Sequence, residues 1–212
     1  DNQQPRLRRI LTNKLLTNVK IYVIMATKQV GGVIMANVVV VIDEQNDFIT
    51  GTLGSQEAVD AVKKTKDFLR YVSQDKSKKW EILFTKDTHF NDFWTTREGQ
   101  MFLRHCVFNT EGWKLSKELS EFTKENNVFN KSTFGSERVC REAFRYAHCE
   151  DDVVFVGLCT DICVIANVLM FTSMFPNTNV KVVANCCAGT TKEKHEAALA
   201  VMRSCGVEIL NM

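Results

Sequence analysis

Five side chains of reactive type lie at the ends of apolar runs that predict β-strands. These residues are Asp43, Asp87, His89, Lys131 and Cys163. A thiol beside a carboxylate and an ammonium could perform nucleophilic catalysis, because the thiol attacks a carbonyl carbon while the carboxylate carries its proton. An aspartate and a histidine two residues apart on extended backbone point to the same face, where both could reach a metal ion. The sequence therefore suggests two kinds of chemistry at one edge of a sheet.

Cys163 lies in the segment VGLCTDICV, residues 156–164. A helix that begins near Asp161 would place free backbone N–H groups and its dipole close to Cys163, and both favour the thiolate. A neighbouring lysine would lower the pKa of the thiol further. The alternative is a small buried hydrophobic residue, which is what most cysteines in apolar runs are. We interpret the remaining candidates in that way, namely Cys140, Cys149, Cys186, Cys187 and Cys205.

Asp43 is the candidate for the proton carrier, and Lys131 is the candidate for the group that stabilises charge. A turn aspartate is the alternative for Asp43, although Asn46 and Asp47 are better placed for hydrogen bonds to the backbone. For Lys131 the alternative is a solvated surface lysine. Lys131 ends a short apolar strand, however, whereas surface lysines more often lie on polar helix faces.

The four histidines divide into two pairs. His148 is followed by charged residues near a predicted helix end, and His195 lies in the polar helical stretch KEKHEAA. A catalytic Cys–His pair therefore finds little support. His89 and His105 instead lie close together in the segment that carries the Asp-x-His spacing.

The segment TKDTHFNDFWTTREGQMFLRHC, residues 85–106, predicts a metal site. Its candidate ligands are Asp87, His89, Glu98 and His105. Two imidazoles with two carboxylates suit a divalent transition ion such as zinc, manganese or iron, whereas calcium prefers oxygen ligands alone. Cys106 is a competing soft ligand, although adjacent side chains on extended backbone diverge. The alternative is that both histidines are core residues or line the edge of a substrate site.

From residue 37 onward, short β-branched apolar runs alternate with longer segments of helical period. The predicted strands are 37–42, 80–85, 127–130, 152–157, 179–184 and 207–211. The predicted helices are 55–74, 114–125, 136–148, 161–174 and 191–204. This alternation is typical of an α/β fold, here a three-layer αβα sandwich with a mainly parallel open sheet. Ligands bind such sheets at the carboxyl ends of the strands, which is where the five reactive side chains lie.

Composition and charge distinguish the first 36 residues from the rest. The 212-residue chain has 45% hydrophobic and 25% charged residues and a net charge of +2, values that are typical of an ordinary soluble protein. Residues 1–36 are basic, with Asp1 as the only acid before Asp43. We interpret them as an extension, either a mitochondrial-type transit sequence, a partner-binding arm, or sequence upstream of a start at Met25 or Met35. Residues 37–212 would form a single domain.

Cysteine usage and the apolar runs give the expected compartment. Eight cysteines, two of them adjacent, are a poor match to a small disulfide scaffold, so reduced thiols and an intracellular setting are expected. No apolar run approaches the roughly 20 residues that cross a bilayer, so no membrane partner is predicted. The basic extension has few interleaved aromatic residues, so no nucleic-acid partner is predicted either. Cytoplasmic location follows, or mitochondrial location if the extension is a transit sequence.

Five separate segments together resemble the isochorismatase-like cysteine hydrolases, and most closely the nicotinamidases among them. They are VIDEQNDFITG, TKDTHF, LRHCVFNTEGW, NKSTFGS and VGLCTDICV, and the resemblance runs from about residue 37 to 212. It implies that Asp43 is the general base and acid, Lys131 its electrostatic partner and Cys163 the nucleophile. It also implies a cis peptide bond between Leu158 and Cys159, with the backbone N–H groups of Cys159 and Cys163 forming an oxyanion hole.

The resemblance further implies a divalent transition metal beside the catalytic residues, with zinc preferred and manganese or iron as alternatives. Many members of the family use three histidines, whereas this chain has only two in the segment and has Glu98 where certain bacterial members use a glutamate. The implied ligands are therefore Asp87, His89, Glu98 and His105. This departure from the family pattern leaves the metal's identity open.

The resemblance implies a flat pyridine ring as part of the substrate, held between aromatic side chains. Phe48 and Phe102 are the first candidates for these walls, and Phe134 or Trp94 are further ones, with plain core packing as the alternative. The implied activity is hydrolysis of nicotinamide to nicotinate and ammonia through a thioester at the cysteine. The implied partners are a small-molecule amide and further copies of the chain in a homo-oligomer. The alternatives are hydrolysis of another small amide or a vinyl ether, and a non-catalytic module of the same fold.

Overall fold

The computed structural model describes residues 36–147 and 150–211. The predicted basic extension, apart from residue 36, lies outside the described residues, as do His148 and Cys149. Among the described residues, no helix is both long enough and apolar enough to cross a membrane. The seven described cysteines are free thiols.

A six-stranded sheet forms the centre of the fold, and every pair of neighbouring strands is parallel. The strands are β1 (Asn37–Ile42), β2 (Trp80–Asp87), β3 (Val128–Lys131), β4 (Asp152–Leu158), β5 (Asn179–Ala188) and β6 (Glu208–Leu210). Their order across the sheet is β3-β2-β1-β4-β5-β6. The direction of winding therefore reverses between β1 and β4, and open α/β sheets bind ligands at such a reversal.

Within the described ranges, five α-helices cover the two faces of the sheet. They are α1 (Asn46–Ile49), α2 (Gln56–Gln74), α3 (Glu137–Tyr146), α4 (Ile165–Met174) and α5 (Lys192–Ser204). Buried residues of α2 pack on one face, and buried residues of α3, α4 and α5 pack on the other. The predicted three-layer sandwich is confirmed, and its sheet is parallel throughout.

Strand β1 shows why the sequence folds in this way. All six residues of NVVVVI are buried. Because successive side chains point to opposite faces, Val38 and Val40 enter the core on one side while Val39 and Val41 enter the core on the other. A central strand covered on both faces reads as a continuous apolar run, which is the pattern that made β1 predictable.

Helix α2 begins at a side-chain cap and buries one stripe. The hydroxyl of Ser55 accepts a hydrogen bond from the backbone N–H of Ala58 and so caps the N-terminus of the helix. The buried positions from Ala58 to Val72 recur every three or four residues, so one face of the helix lies on the sheet. Thr191 caps α5 in the same manner, through the N–H of Lys194.

The predicted helix at 114–125 is wrong. The structure has an extended stretch there, followed by a short 3₁₀ turn at Lys117–Leu119. Leu115 forms a β-bridge with Gln45, and the N–H of Ser116 donates to the carbonyl of Glu44. These contacts hold the start of the segment in an extended conformation. Its apolar residues Leu119 and Phe122 are therefore buried from a loop and not from a helix.

Candidate active site

Lys131 joins three of the predicted functional residues. Its Nζ lies 2.6 Å from Oδ2 of Asp43, 3.5 Å from Sγ of Cys163 and 3.6 Å from Oδ1 of Asp87. Lys131 ends β3, where its register partner on β2 is Asp87. The side chain is 2% exposed, so the ammonium lies in a site from which water is largely excluded. The three side chains proposed for catalysis therefore meet at the edge of the sheet.

Asp43 directly follows β1 and is fully buried. Its Oδ1 accepts a hydrogen bond from the hydroxyl of Thr85 at 2.7 Å, and that hydroxyl accepts one from the N–H of Asp43 at 3.2 Å. The backbone of Asp43 has φ of +48°, in the left-handed region that non-glycine residues seldom occupy. The reciprocal contact with Thr85 fixes the carboxylate so that its second oxygen faces Lys131.

Close approach of β1 and β4 brings Asp43 towards the turn that carries Cys163. Gly157 of β4 is the register partner of Ile42 and has φ of +121°. A Cβ atom at Gly157 would lie 2.1 Å from the carbonyl oxygen of Ile42, so only glycine fits there.

Cys163 lies in a single π-helical turn, Thr160–Val164, that leads into α4. Such turns occur frequently at functional sites. The carbonyl of Cys163 accepts a hydrogen bond at 2.8 Å from the side chain of Asn167, which is fully buried. The same amide donates to the carbonyl of Phe134 and accepts from the N–H of Ser136. Asn167 thus joins the turn that carries Cys163 to the loop that follows Lys131.

The predicted lowering of the thiol pKa at Cys163 is wrong. Burial raises the pKa of Cys163 well above its ordinary value, and the opposing effect of Lys131 is smaller. Burial also raises the pKa of Asp43, again against the effect of Lys131, so this carboxylate is a stronger base than usual. Burial alone would lower the pKa of Lys131, but the nearby carboxylates of Asp43 and Asp87 raise it. The site therefore holds a neutral thiol beside a charged ammonium and a basic carboxylate.

A second cluster lies next to Lys131. It consists of Asp87, His89, Glu98 and His105, whose candidate ligand atoms all lie within 4.8 Å of one another. Nε2 of His89 lies 2.7 Å from Oδ2 of Asp87, and Nε2 of His105 lies 3.3 Å from the same oxygen. Oε1 of Glu98 lies 3.6 Å and 3.5 Å from these two nitrogen atoms. The structure thus brings together all four residues that the sequence proposed as metal ligands.

The chemistry of this cluster fits a divalent transition ion. Nδ1 of His105 lies 2.7 Å from the carbonyl oxygen of Leu103, so Nδ1–H donates there and Nε2 is the ring nitrogen directed at the cluster. Burial lowers the pKa values of His89 and His105, but hydrogen bonds to Asp87 and Glu98 outweigh it and raise both to about 9. A divalent ion that bound these ring nitrogens would have to displace their protons, so its binding would be favoured by rising pH.

Gln45 fixes the backbone beneath both clusters. Its Oε1 accepts from the N–H of Asp87 at 2.7 Å, and its Nε2 donates to the carbonyl of Asp87 at 2.9 Å. Nε2 also donates to the carbonyl of Trp113 at 2.8 Å. This fully buried amide therefore holds the end of β2, which carries one residue of the metal cluster, against the loop after β1.

A cavity of about 300 Å³ opens between the two clusters. Its walls include Cys163 and Cys159 on one side and Glu98 and His105 on the other. Phe48, Phe102 and Phe134 also line it, as the sequence proposed. Trp94 does not belong to this lining and is 56% exposed, so that candidate is wrong. The volume is at the lower end of the range for ligand pockets, which suits a small substrate.

The peptide bond between Leu158 and Cys159 is cis, as predicted. Burial raises the pKa of the Cys159 thiol to about 12, so this sulfur stays protonated and the residue's remaining contribution is its backbone. The oxyanion-hole role of the N–H groups of Cys159 and Cys163 stays a prediction.

The other cysteines separate into buried and exposed ones. Cys140, Cys186 and Cys187 are buried, as predicted. Cys205 is exposed, which corrects the prediction, because it is the C-terminal cap of α5 at the surface. The side chain of Cys106 is buried in the core, and its sulfur is not among the four clustered ligand atoms.

Three buried polar residues support the site but were not predicted from the sequence. Gln45, Thr85 and Asn167 are polar, fully buried and hydrogen-bonded around the reactive groups. The sequence does indicate a buried role for Asn167, because it is the lone amide in the apolar helical run IANVLMF. Asp47 accepts hydrogen bonds from the backbone of Thr52 and Cys106, which is the backbone-bonding role proposed for it.

A family model described as the Isochorismatase domain matches residues 37–212. With the sheet order and the site described above, this match shows that the chain belongs to the isochorismatase family of hydrolases. No curated protein sequence gives a significant match.

Solved structures share this fold. The chain is similar to a pyrazinamidase of Pyrococcus horikoshii in complex with zinc, with 23% identity, a TM-score of 0.68, and coverage of 84% of this chain and 99% of that one. It is also similar to a nicotinamidase/pyrazinamidase from Bacillus subtilis, with 23% identity, a TM-score of 0.66, and coverage of 84% and 100%. An N-carbamoylsarcosine amidase from Thermoplasma acidophilum aligns with 19% identity, a TM-score of 0.63, and coverage of 84% and 96%.

Proposed function

We propose that this hydrolase is a nicotinamidase, which converts nicotinamide to nicotinate and ammonia through a thioester on Cys163. The observation that carries the proposal is the position of the Lys131 ammonium, in contact with Asp43, with Cys163 and with Asp87 of the metal cluster. The nucleophile and two residues of the ligand-binding cluster, Glu98 and His105, then line one small cavity, and the base lies buried beside Lys131. Nicotinamidase and pyrazinamidase structures among the similar folds support this choice of substrate.

The first half of the reaction transfers the acyl group to sulfur. The Asp43 carboxylate takes the proton of the Cys163 thiol, and the sulfur attacks the carboxamide carbon, whose oxygen becomes negative. The backbone N–H groups of Cys159 and Cys163 donate hydrogen bonds to that oxygen. Asp43 then gives its proton to the amide nitrogen, the carbon–nitrogen bond breaks and ammonia leaves.

The second half returns the enzyme to its starting state. Asp43 takes a proton from water, and the resulting hydroxide attacks the thioester carbon. The carbon–sulfur bond breaks, the sulfur regains a proton from Asp43, and the product acid releases its own proton to solvent and leaves as nicotinate. Lys131 keeps Asp43 oriented through both halves and stabilises negative charge on the sulfur when the proton has moved.

The residues Asp87, His89, Glu98 and His105 would hold a divalent transition ion, zinc in preference to manganese or iron. Such an ion, when bound, supplies a Lewis acid that can bind a pyridine nitrogen. The cluster shares the cavity with the nucleophile, so a ring held beside it would have its carboxamide directed towards Cys163, which is a positioning effect. Phe48, Phe102 and Phe134 would cover the faces and edge of that ring.

Ammonia release from nicotinamide by purified, metal-loaded protein tests this proposal. We expect turnover in the wild type and loss by about 10³-fold or more in Cys163→Ala, as for nucleophiles of other hydrolases. A panel containing pyrazinamide, an N-carbamoyl amino acid and a vinyl ether separates the proposal from another activity of the same family. Turnover of a non-pyridine substrate with none of nicotinamide would replace the proposed substrate.

A further inference from the structure

Side-chain contacts attach the turn of Cys163 to the loop that leads into α5 and to the first turn of α5 itself. The carboxylate of Asp161 accepts hydrogen bonds from the N–H and the hydroxyl of Thr190, at 2.8 Å and 2.6 Å. Oγ1 of Thr160 lies 2.8 Å from Nδ1 of His195. Thr160 and Asp161 are the first two residues of the π-helical turn, so both anchors lie directly ahead of the nucleophile.

The contact between Thr160 and His195 lies at the margin of the core, with His195 itself only half-buried. Thr160 is fully buried, and a buried hydroxyl without a partner would cost the free energy of its desolvation. Burial lowers the pKa of His195, against the opposing effects of Glu196 and Asp161. The imidazole is therefore neutral at neutral pH and has one ring nitrogen that can accept the proton of the threonine hydroxyl.

Close packing leaves little room for this loop to move. A Cβ atom at Gly189 would lie 2.9 Å from Oδ1 of Asp161 and 2.9 Å from Cβ of His195. Gly189 and Thr190 also line the cavity that Cys159 and Cys163 line. The first turn of α5 and the turn of the nucleophile therefore form one packed unit beside the substrate cavity.

We propose that His195 is a positioning residue, which holds the turn carrying Cys163 through its hydrogen bond to Thr160. Thr160 lies between Cys159 and Cys163, whose backbone N–H groups are the expected oxyanion donors, so a shift of Thr160 would move both donors and the sulfur together. The proposal rests on the proposed function only for its effect on turnover. It gives a role to a histidine that the sequence left on a polar helix face.

The first test compares four single variants by steady-state kinetics on nicotinamide. Thr160→Val and His195→Phe remove one partner of the hydrogen bond but keep the approximate shape. We expect each to lower kcat by about 10- to 100-fold with little change in KM, because small misplacements of reacting groups have effects of this size. Thr160→Ser keeps the hydroxyl, and His195→Asn keeps a polar side-chain group that can bond to it. Both variants should therefore retain most of the wild-type kcat.

The double variant Thr160→Val/His195→Phe should be no worse than the more damaged single variant, since both remove the same contact. Arg203→Gln, at the exposed far end of α5, is the matched control and should leave kcat unchanged. Thermal unfolding identifies variants that fail to fold. If Thr160→Val does not fold, the pair His195→Phe and His195→Asn decides the question.

A second readout does not depend on the substrate. Alkylation of Cys163 by iodoacetamide, followed by mass spectrometry with Cys163→Ala as the blank, should slow several-fold in His195→Phe and recover in His195→Asn. If nicotinamide is not hydrolysed by any form but the alkylation pattern holds, the proposed substrate fails and the positioning role stands. Unchanged kcat and unchanged alkylation in folded His195→Phe would overturn the role of His195, as would strictly additive effects in the double variant.

Discussion

The ammonium of Lys131 lies 2.6 Å from the carboxylate of Asp43, and neither side chain is more than 2% exposed. Two charges removed from water in this way stabilise each other only while both are present. The pair therefore holds the Asp43 carboxylate against an ammonium that also contacts Sγ of Cys163, and Cys163 lines the cavity.

Removing the ammonium should damage both stability and turnover. Lys131→Met leaves Asp43 buried without a counter-charge, and breaking a buried pair costs about 3–5 kcal/mol of unfolding free energy. Urea unfolding at neutral pH measures this loss. Arg70→Gln is the matched control, since it breaks the half-exposed pair with Glu121 and should cost at most about 1 kcal/mol. Equal losses in the two variants would contradict the importance assigned to the buried pair.

Glu44 should make the protein less stable as the pH rises. It is fully buried, its Oε1 accepts a hydrogen bond from Thr65, and its Oε2 has no hydrogen-bond partner among the described residues. Burial raises its pKa from 4.5 to about 8, so the folded protein keeps a proton that the unfolded chain has already lost.

The stability that this proton provides is complete below pH 4.5 and is lost as the pH rises to about 8. Glu44→Gln has no such titration, so its unfolding free energy relative to the wild type should increase between pH 5 and 8, by a few kcal/mol on the scale of about 1.4 kcal/mol per pKa unit. Urea unfolding at several pH values measures the difference. A difference that stays constant over this range would contradict the buried, protonated state of Glu44.

Asn167 should be intolerant of a charge. In Asn167→Asp the carboxylate would face the carbonyl oxygens of Cys163 and Phe134, which now receive its amide protons. Leaving such buried acceptors without donors costs about 1–3 kcal/mol each, and the buried charge adds to this. Thermal unfolding measures the loss. Asn126→Asp, at an exposed position, is the control and should be nearly neutral, so a similar loss there would show that the effect is not specific to the site.

A variant of the metal ligands and a variant of the nucleophile should differ in metal content, although both should lose turnover. His89→Ala removes one of the four clustered side chains and should lower both the bound divalent ion and the rate of ammonia release. Cys163→Ala leaves the cluster intact and should retain the metal while losing turnover. Elemental analysis of dialysed protein, with a chelator-treated wild type alongside, measures this. A fully active wild type with no bound ion would contradict a role for the cluster in the reaction.

The sheet and its reactive edge could be predicted because their signals are local. The buried strands β1 and β4 are continuous apolar runs, and the rule that ligands bind at strand ends then selected Asp43, Lys131 and Cys163. The structure brings these three together as the spacing suggested.

The remaining features depend on contacts between distant segments. The segment 114–125 has helical spacing, but its backbone bonds to Glu44 and its bridge to Gln45 decide its conformation. The thiol pKa of Cys163 depends on total burial, which no short motif reports. His195 looked like a solvated residue because its partner, Thr160, is 35 positions away.

The most direct test of the central claim is ammonia release from nicotinamide by three proteins assayed together, the wild type, Cys163→Ala and Asp43→Asn. We expect the wild type to release ammonia, and both variants to fold but to release it at a rate lower by about 10³-fold or more. Wild-type rates retained in either folded variant would contradict the assignment of sulfur and carboxylate to the reaction.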